Sequence, residues 1–192
     1  SPLEQATQRL IEELDRTNSE YPRPADDESL WEYLHRKDLE IWSADNFPLT
    51  PVLVFDQFEE LFSRSGGNEE FIQQVFNSLA DLIENRIPAE LASEAAGAKR
   101  SRLDLLSQRY CLVLSFREDF LPEMRAWERK VPSLLRNYLR LTPMSRHCAI
   151  AAVEQSGKEV LEDGVAPSIV DFVGKRDLRA DASDASEMII EP

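Results

Sequence analysis

Apolar positions along the chain follow two patterns, one spaced for helices and one continuous, and the two alternate. Leu3, Ala6, Leu10, Ile11 and Leu14 recur at helical spacing behind Pro2, whose fixed φ suits a first helical position, so residues 2–17 read as an amphipathic helix. Pro22 and Pro24 break it. Ser29 and Glu32 have the spacing of a capping box for a second helix carrying Leu30, Trp31, Tyr33 and Leu34. His35, alone in the basic run 35–37, reads as a surface residue, and residues 39–42 as a short strand. The pattern then changes: Val52, Leu53, Val54 and Phe55 are apolar without interruption, the signature of a strand covered on both faces. Gly66 and Gly67 mark a loop. Asn68 is placed to cap a helix whose core stripe is Phe71, Val75, Phe76, Leu79, Leu82 and Ile83, stopped by Pro88. Residues 89–109 read as partly helical, with Leu103, Leu105 and Leu106 docking on the sheet. YCLVLSF, residues 110–116, is the second continuous run. Short helices after Pro122 and Pro132, a third strand at 138–141, a helix capped by Ser145 and ended by Gly157, and short helices at 167–173 and 187–190 complete the series.

Strands alternating with helices predict an α/β fold: a mainly parallel sheet with 51–55, 110–116 and 138–141 as neighbouring strands, right-handed crossovers, and helices on both faces. The 192 residues suffice for one full core and the start of a second unit, read as 1–143 and 144–192. No internal repeat is present. No apolar run approaches the ~20 residues of a membrane helix, and SPLEQATQRL lacks a signal pattern. A net charge of -14 with pI ≈ 4.6 argues against a broad nucleic-acid or anionic-lipid surface. Cys111 and Cys148 form no CxxC pair. Cys111 reads as a buried strand thiol, and this cysteine usage suits a reducing cytoplasm. His147 beside Cys148 has no further ligand at workable spacing and reads as helix surface. The chain starts at Ser1 and its apolar pattern still runs at 189–190, so it is expected to be a piece of a longer protein.

Asp56 ends the first continuous strand, at the rim where open α/β sheets bind ligands. Glu59 and Glu60 follow within one turn. Three neighbouring acids call for a cation or basic partner, and a hard divalent ion with oxygen ligands is the usual solution. The pattern is that of a Mg²⁺–nucleotide site of the Walker B kind, with Asp56 holding the ion and a Glu handling water. Glu59 is favoured over Glu60 because it follows Asp56 by three residues, close to one helical turn. The plain alternative makes Glu59 and Glu60 a solvated first turn of a helix. The second strand runs into Arg117, Glu118 and Asp119 at the same expected edge. A guanidinium there suits bidentate contact with a terminal phosphate, and its plain alternative is an ion pair with Glu118, Asp119 or the acidic cluster. A phosphate loop GxxxxGK[ST] is absent: Gly157–Lys158 has Ala152 ahead and Glu159 behind, and Gly174–Lys175 has Ile169 and Arg176. In P-loop proteins that loop precedes the Walker B strand, so half of the site is expected ahead of Ser1.

Four pieces in order, DQFEELF at 56–62, LSFREDFL at 114–121, LTPMS at 141–145 with its following helix, and the ending SEMIIEP, resemble the nucleotide-binding module of STAND-class P-loop NTPases, in particular the bacterial novel STAND NTPases. The resemblance runs from about residue 39 onward. It implies a three-layer P-loop NTPase-like core, incomplete here, followed by the start of a helical lid. The spacing of Asp56 from Glu59 and Glu60 is similar to the NACHT variant of Walker B. Carried over, Asp56 coordinates Mg²⁺, Glu59 or Glu60 polarises the attacking water, and Arg117 is the sensor contacting the nucleotide. The resemblance further implies ATP and Mg²⁺ as cofactors, a regulatory switch that exchanges ADP for ATP and forms homo-oligomers, and sensor repeats such as WD40 or TPR elsewhere in the polypeptide. Without the P-loop, ATPase activity is expected of the full-length protein and not of this fragment. The competing expectation is a catalytically silent interaction scaffold that keeps the fold and uses its acidic surface for partners. A glycosidase using Glu59 and Glu60 as its acid pair is disfavoured, because adjacent helical residues point apart.

Overall fold

The structure is a computed structural model that describes residues 1–93, 96–162, 164–177 and 189–190. It is α/β and divides into two units, Ser1–Tyr138 and Leu139–Pro192.

The first unit is built around two parallel strands, β1 (Val52–Phe55) and β2 (Cys111–Leu114), in the register Val52↔Cys111, Leu53↔Leu112, Val54↔Val113 and Phe55↔Leu114. Paired residues share a sheet face. Leu53, Phe55, Leu112 and Leu114 therefore point to one side, where they join the core, while Val52, Val54, Cys111 and Val113 point to the other, which is exposed. Helix α1 (Pro2–Arg16) presents Leu3, Leu10, Ile11 and Leu14 to the core; its capping box at Ser1 and Glu4 and Pro2 in its first turn explain its start. Helix α2 (Leu30–Leu34) has the Ser29–Glu32 capping box read from the sequence. Short α3 (Glu60–Arg64) follows β1, and long α4 (Glu69–Ile83), capped by Asn68, buries Val75, Phe76, Leu79, Ala80 and Leu82. The short helices α5 (Ala89–Ala92) and α6 (Gly97–Arg100) lead to β2, and α7 (Leu121–Ala126) and α8 (Pro132–Arg136) follow it. One core cluster gathers Leu14, α2, Leu53, Leu82, Leu91, Leu103 and Tyr110. A second gathers Phe58, Val75, Phe76, Leu79 and Met124, with Phe76 stacked on Trp127 at 4.1 Å.

Several expectations are corrected. The strand at 51–55 is not covered on both faces: Val52 and Val54 are 58% and 62% exposed, and among the described residues helices pack on one face of the sheet. Among the described residues the sheet has two strands, so each strand is also an edge. Residues 138–141 are not a third strand, and 39–42 form only the isolated bridges of Trp42 to Glu20 and Pro48. Cys111 is exposed because its register places it on the uncovered face. Leu103 and Leu105 dock on the core as expected, whereas Leu106 is 92% exposed.

His35 is the sharpest reversal. It is buried, stacked on Trp31 at 3.8 Å, edge-on to Tyr110 at 5.5 Å, with Nδ1 donating to the Trp31 carbonyl (2.7 Å) and Nε2 2.6 Å from Asn85 Oδ1. A buried imidazole needs partners for both nitrogens, and the turn of α2 and the loop after α4 supply them. Asn85, far along the chain, is not visible as a partner in the flanking sequence.

The second unit pairs β3 (Met144–Ser145) antiparallel with β4 (Ile189–Ile190). Helix α9 (Arg146–Ser156), capped by Ser145 and ended at Gly157, packs with α10 (Val165–Asp177) around Ala149 and Val170. Arg146 Nε and Nη2 hold Asp171 at 2.7 and 3.0 Å. Ile189 and Ile190 are extended rather than helical, because they pair with the strand ahead of α9; the remainder of the helix expected at 187–190 lies outside the described residues.

Candidate functional site at the carboxyl ends of the paired strands

Parallel pairing sends both strand ends to the same edge of the sheet. Phe55 pairs with Leu114, so Asp56 and Ser115–Arg117 emerge side by side, and two hydrogen bonds bind the exits together: Ser115 N–H to the Phe55 carbonyl and Phe58 N–H to the Ser115 carbonyl, both 2.9 Å. The chain after Asp56 is held by its aromatics. Phe58 is buried edge-on against Phe55 and Phe76, and Phe62 on α3 stacks on Phe120 beyond Arg117, with centroids 6.0 Å apart. These contacts bring the two polar loops to one place.

Between Asp56 and α3 the backbone turns sharply. Gln57 has φ 51, a left-handed conformation that costs a non-glycine residue on the order of 1 kcal/mol. Its N–H is satisfied by the Asp56 side chain, Oδ1 accepting at 2.9 Å. Glu60 N–H and Leu61 N–H then close the turn onto the carbonyls of Gln57 and Phe58. Glu59 is therefore the residue before α3 rather than part of a helix running from Asp56, and the helical-spacing reason for favouring it over Glu60 does not apply.

The three acids have separate surroundings. Asp56 is exposed and makes no ion pair among the described residues; Glu60 pairs with Arg64 one turn along α3 at 2.9 Å. Glu59 is half-buried, and its Oε2 is shut off from solvent with no hydrogen-bond partner among the described residues. A shielded carboxylate oxygen without a donor is costly and marks a place where a donor or cation fits. Among the described residues no three His, Cys, Asp or Glu side chains gather to hold a metal. Glu60 is engaged by Arg64, which leaves Asp56 and Glu59, and Mg²⁺ is commonly held by one or two carboxylates completed by phosphates and water.

Arg117 leaves β2 in an extended conformation and is followed by a tight 3-10 turn, Glu118–Phe120, that brings Asp119 back beside it. Arg117 Nε and Nη2 donate to Asp119 Oδ1 and Oδ2 at 3.2 and 2.9 Å, with both side chains more than half exposed. Of the partners open in the sequence, the structure selects Asp119 and leaves Asp56 apart. The signal was present as an Arg and Asp two residues apart after a strand; that Asp119 would be the counter-ion required the turn.

A cavity of about 520 Å³ lies elsewhere, between α2 and α6, lined by Glu28, Glu32, Arg36, Lys99 and Arg102 among others. Its charges largely neutralise one another: Arg36 pairs with Asp38 and Glu28, and Lys99 with Glu32 and Asp27. It offers no concentrated charge for a phosphate.

The family model of Novel STAND NTPase 1 matches residues 1–175. The chain belongs to this family. Neither the curated proteins nor the solved structures contain a match to it. A STAND NTPase module is a nucleotide-binding unit of multidomain proteins, and no helix among the described residues is long and apolar enough to cross a membrane. The family match begins at residue 1, so α1 and α2, outside the resemblance drawn from the sequence, are part of the matched region.

Proposed function

We propose that residues 1–143 are part of the P-loop NTPase core of a regulatory ATP-binding and ATP-hydrolysing switch, with residues 144–192 beginning its helical lid. Asp56 is the Mg²⁺ ligand of a Walker B-type strand, Glu59 orients the attacking water, and Arg117 contacts the terminal phosphate. The observation that carries this reading is the joining of the Asp56 and Arg117 loops at the carboxyl ends of two adjacent parallel strands, where α/β sheets bind their ligands. The unpartnered Glu59 Oε2 beside that edge supports Glu59 over Glu60, whose carboxylate is engaged by Arg64. GxxxxGK[ST] is absent from these 192 residues, and the apolar face formed by Val52, Val54 and Val113 is exposed among the described residues.

Mg²⁺ bound here would offset phosphate charge in both ground and transition states. The protein's own groups divide the remaining work. Asp56 holds position through the strand and the Gln57 N–H, Glu59 accepts a hydrogen bond from water, and Arg117 presents two parallel N–H donors. The fold sits in a cytoplasmic, multidomain polypeptide with sensor repeats such as WD40 or TPR, and ATP binding drives its self-association.

Glu59→Gln and Glu60→Gln in the full-length protein test the assignment by single-turnover hydrolysis. Glu59→Gln leaves Mg²⁺–ATP binding intact and slows hydrolysis by about 10²–10⁴-fold, while Glu60→Gln hydrolyses near the parent rate. The reverse result exchanges the two roles. No change in either supports the catalytically silent scaffold, which the absence of GxxxxGK[ST] favours for this fragment alone.

A further inference from the structure

The guanidinium of Arg117 is already occupied. Asp119 engages it through Nε and Nη2, one of the guanidinium's two adjacent donor pairs, so a phosphate gripped by that pair must displace Asp119. The pair is built within a single turn: Arg117 is extended (φ -72, ψ 143), Phe120 N–H returns to the Arg117 carbonyl at 3.0 Å, and Asp119 lies between them. Phe120 is anchored against Phe62 on α3, which fixes the turn from the side of the Asp56 loop. Releasing the guanidinium thus needs only side-chain rotation about a fixed backbone. Both partners are well exposed, 70% and 56%, so the contact is weak enough for a phosphate to displace.

We propose that Asp119 is a positioning residue that competes with the terminal phosphate for Arg117, holding the guanidinium parked when that phosphate is absent. This rests on the reading of Arg117 as the terminal-phosphate contact. The exchange trades one charge-assisted pair for another, so it makes the response to a third phosphate conditional without blocking the site to a diphosphate. It gives Arg117 a defined position in each nucleotide state at the expense of affinity for the triphosphate. The chemistry that displaces Asp119 is an oxyanion with two oxygens spaced like those of a carboxylate, which a terminal phosphate supplies.

Equilibrium binding of Mg²⁺–ATP and Mg²⁺–ADP to the full-length protein tests this with Arg117→Ala, Asp119→Asn and their combination, and with Glu118→Gln as a control that removes the same charge one residue away. Asp119→Asn is expected to tighten ATP about two- to fivefold, the range available from an exposed pair, and to leave ADP unchanged. In the Arg117→Ala background the Asp119→Asn effect should vanish, as a double-mutant cycle requires of coupled residues. In the nucleotide-free protein, the ¹⁵N–¹H signal of Arg117 Nε should shift on Asp119→Asn and not on Glu118→Gln. The proposal is overturned if Arg117→Ala weakens ATP while Asp119→Asn leaves the ATP/ADP ratio unchanged, or if Asp119→Asn tightens ATP no more than Glu118→Gln does, or persists without Arg117. If Arg117→Ala itself leaves the ratio unchanged, the phosphate role of Arg117 falls, and the competition with it.

Discussion

Replacing His35 by Ala separates the pattern-based expectation for this residue from its structural placement. An exposed histidine can be truncated with a change within about 0.5 kcal/mol. The buried one loses two hydrogen bonds, to the Trp31 carbonyl and to Asn85, each worth about 0.5–1.5 kcal/mol net. It also loses a face-to-face contact with Trp31 and an edge contact with Tyr110, together about 0.5–1.5 kcal/mol, and leaves a cavity in the first core cluster. The sum is a destabilisation of about 2–4 kcal/mol. For a domain of this size each kcal/mol lowers Tm by about 2–4 °C, so a fall of about 5–15 °C is expected. Urea unfolding followed by tryptophan fluorescence suits the measurement, since Trp31 lies against the mutated site. Asn85→Gly is the matching single variant because Asn85 has φ 51, which glycine accommodates. The pair should show a coupling of about 1 kcal/mol in a double-mutant cycle. A loss below 0.5 kcal/mol for His35→Ala, or strict additivity with Asn85→Gly, would refute the buried bridge between α2 and the loop after α4.

Two further outcomes concern the core. Tyr33 is fully buried with no partner for its hydroxyl among the described residues, and burial pushes that group from its ordinary value near 10 up to about 12. Tyr33→Phe should therefore be neutral or stabilising at pH 7 by up to about 1 kcal/mol. The raised value contributes stability below pH 10 that is lost as pH climbs toward 12, so the variant should also resist alkaline unfolding better across that window, as read by denaturant midpoints at each pH. Met124→Ala empties a fully buried position in the cluster that seats Phe58 and should cost about 2–5 kcal/mol, checked by the same unfolding assay.

Legibility in the sequence followed the range of the interaction. Pro2 at the start of α1, the capping box at Ser29, the caps at Asn68 and Ser145, and the α4 stripe are local, and the helices stand where those signals put them. The two strands were visible as continuous apolar runs. Their covering was not, because Val52 and Val54 look the same in sequence as Leu53 and Phe55, and only the register with β2 sorts them into an exposed and a buried face. Residues 138–141 carried a strand-like pattern but pair with no strand among the described residues, whereas Ile189–Ile190 pair with Met144–Ser145. At the candidate site, Asp56 and Arg117 were legible as polar residues ending strands. The parking of Arg117 on Asp119 was one of several partners the sequence left open, and the separation of Glu59 from Glu60 depended on the left-handed turn at Gln57, a conformation that no residue preference announces.

The proposed role of Asp56 is to hold the metal of a nucleotide site. Its most direct test is the binding of ATP to the full-length protein and to its Asp56→Ala variant, each with Mg²⁺ and with the ion chelated. Removing Mg²⁺ is expected to weaken ATP binding to the parent by at least about tenfold and to leave the variant, already weak, unchanged. An Asp56→Ala protein that binds Mg²⁺–ATP as tightly as the parent, with the same dependence on the ion, would contradict the assignment.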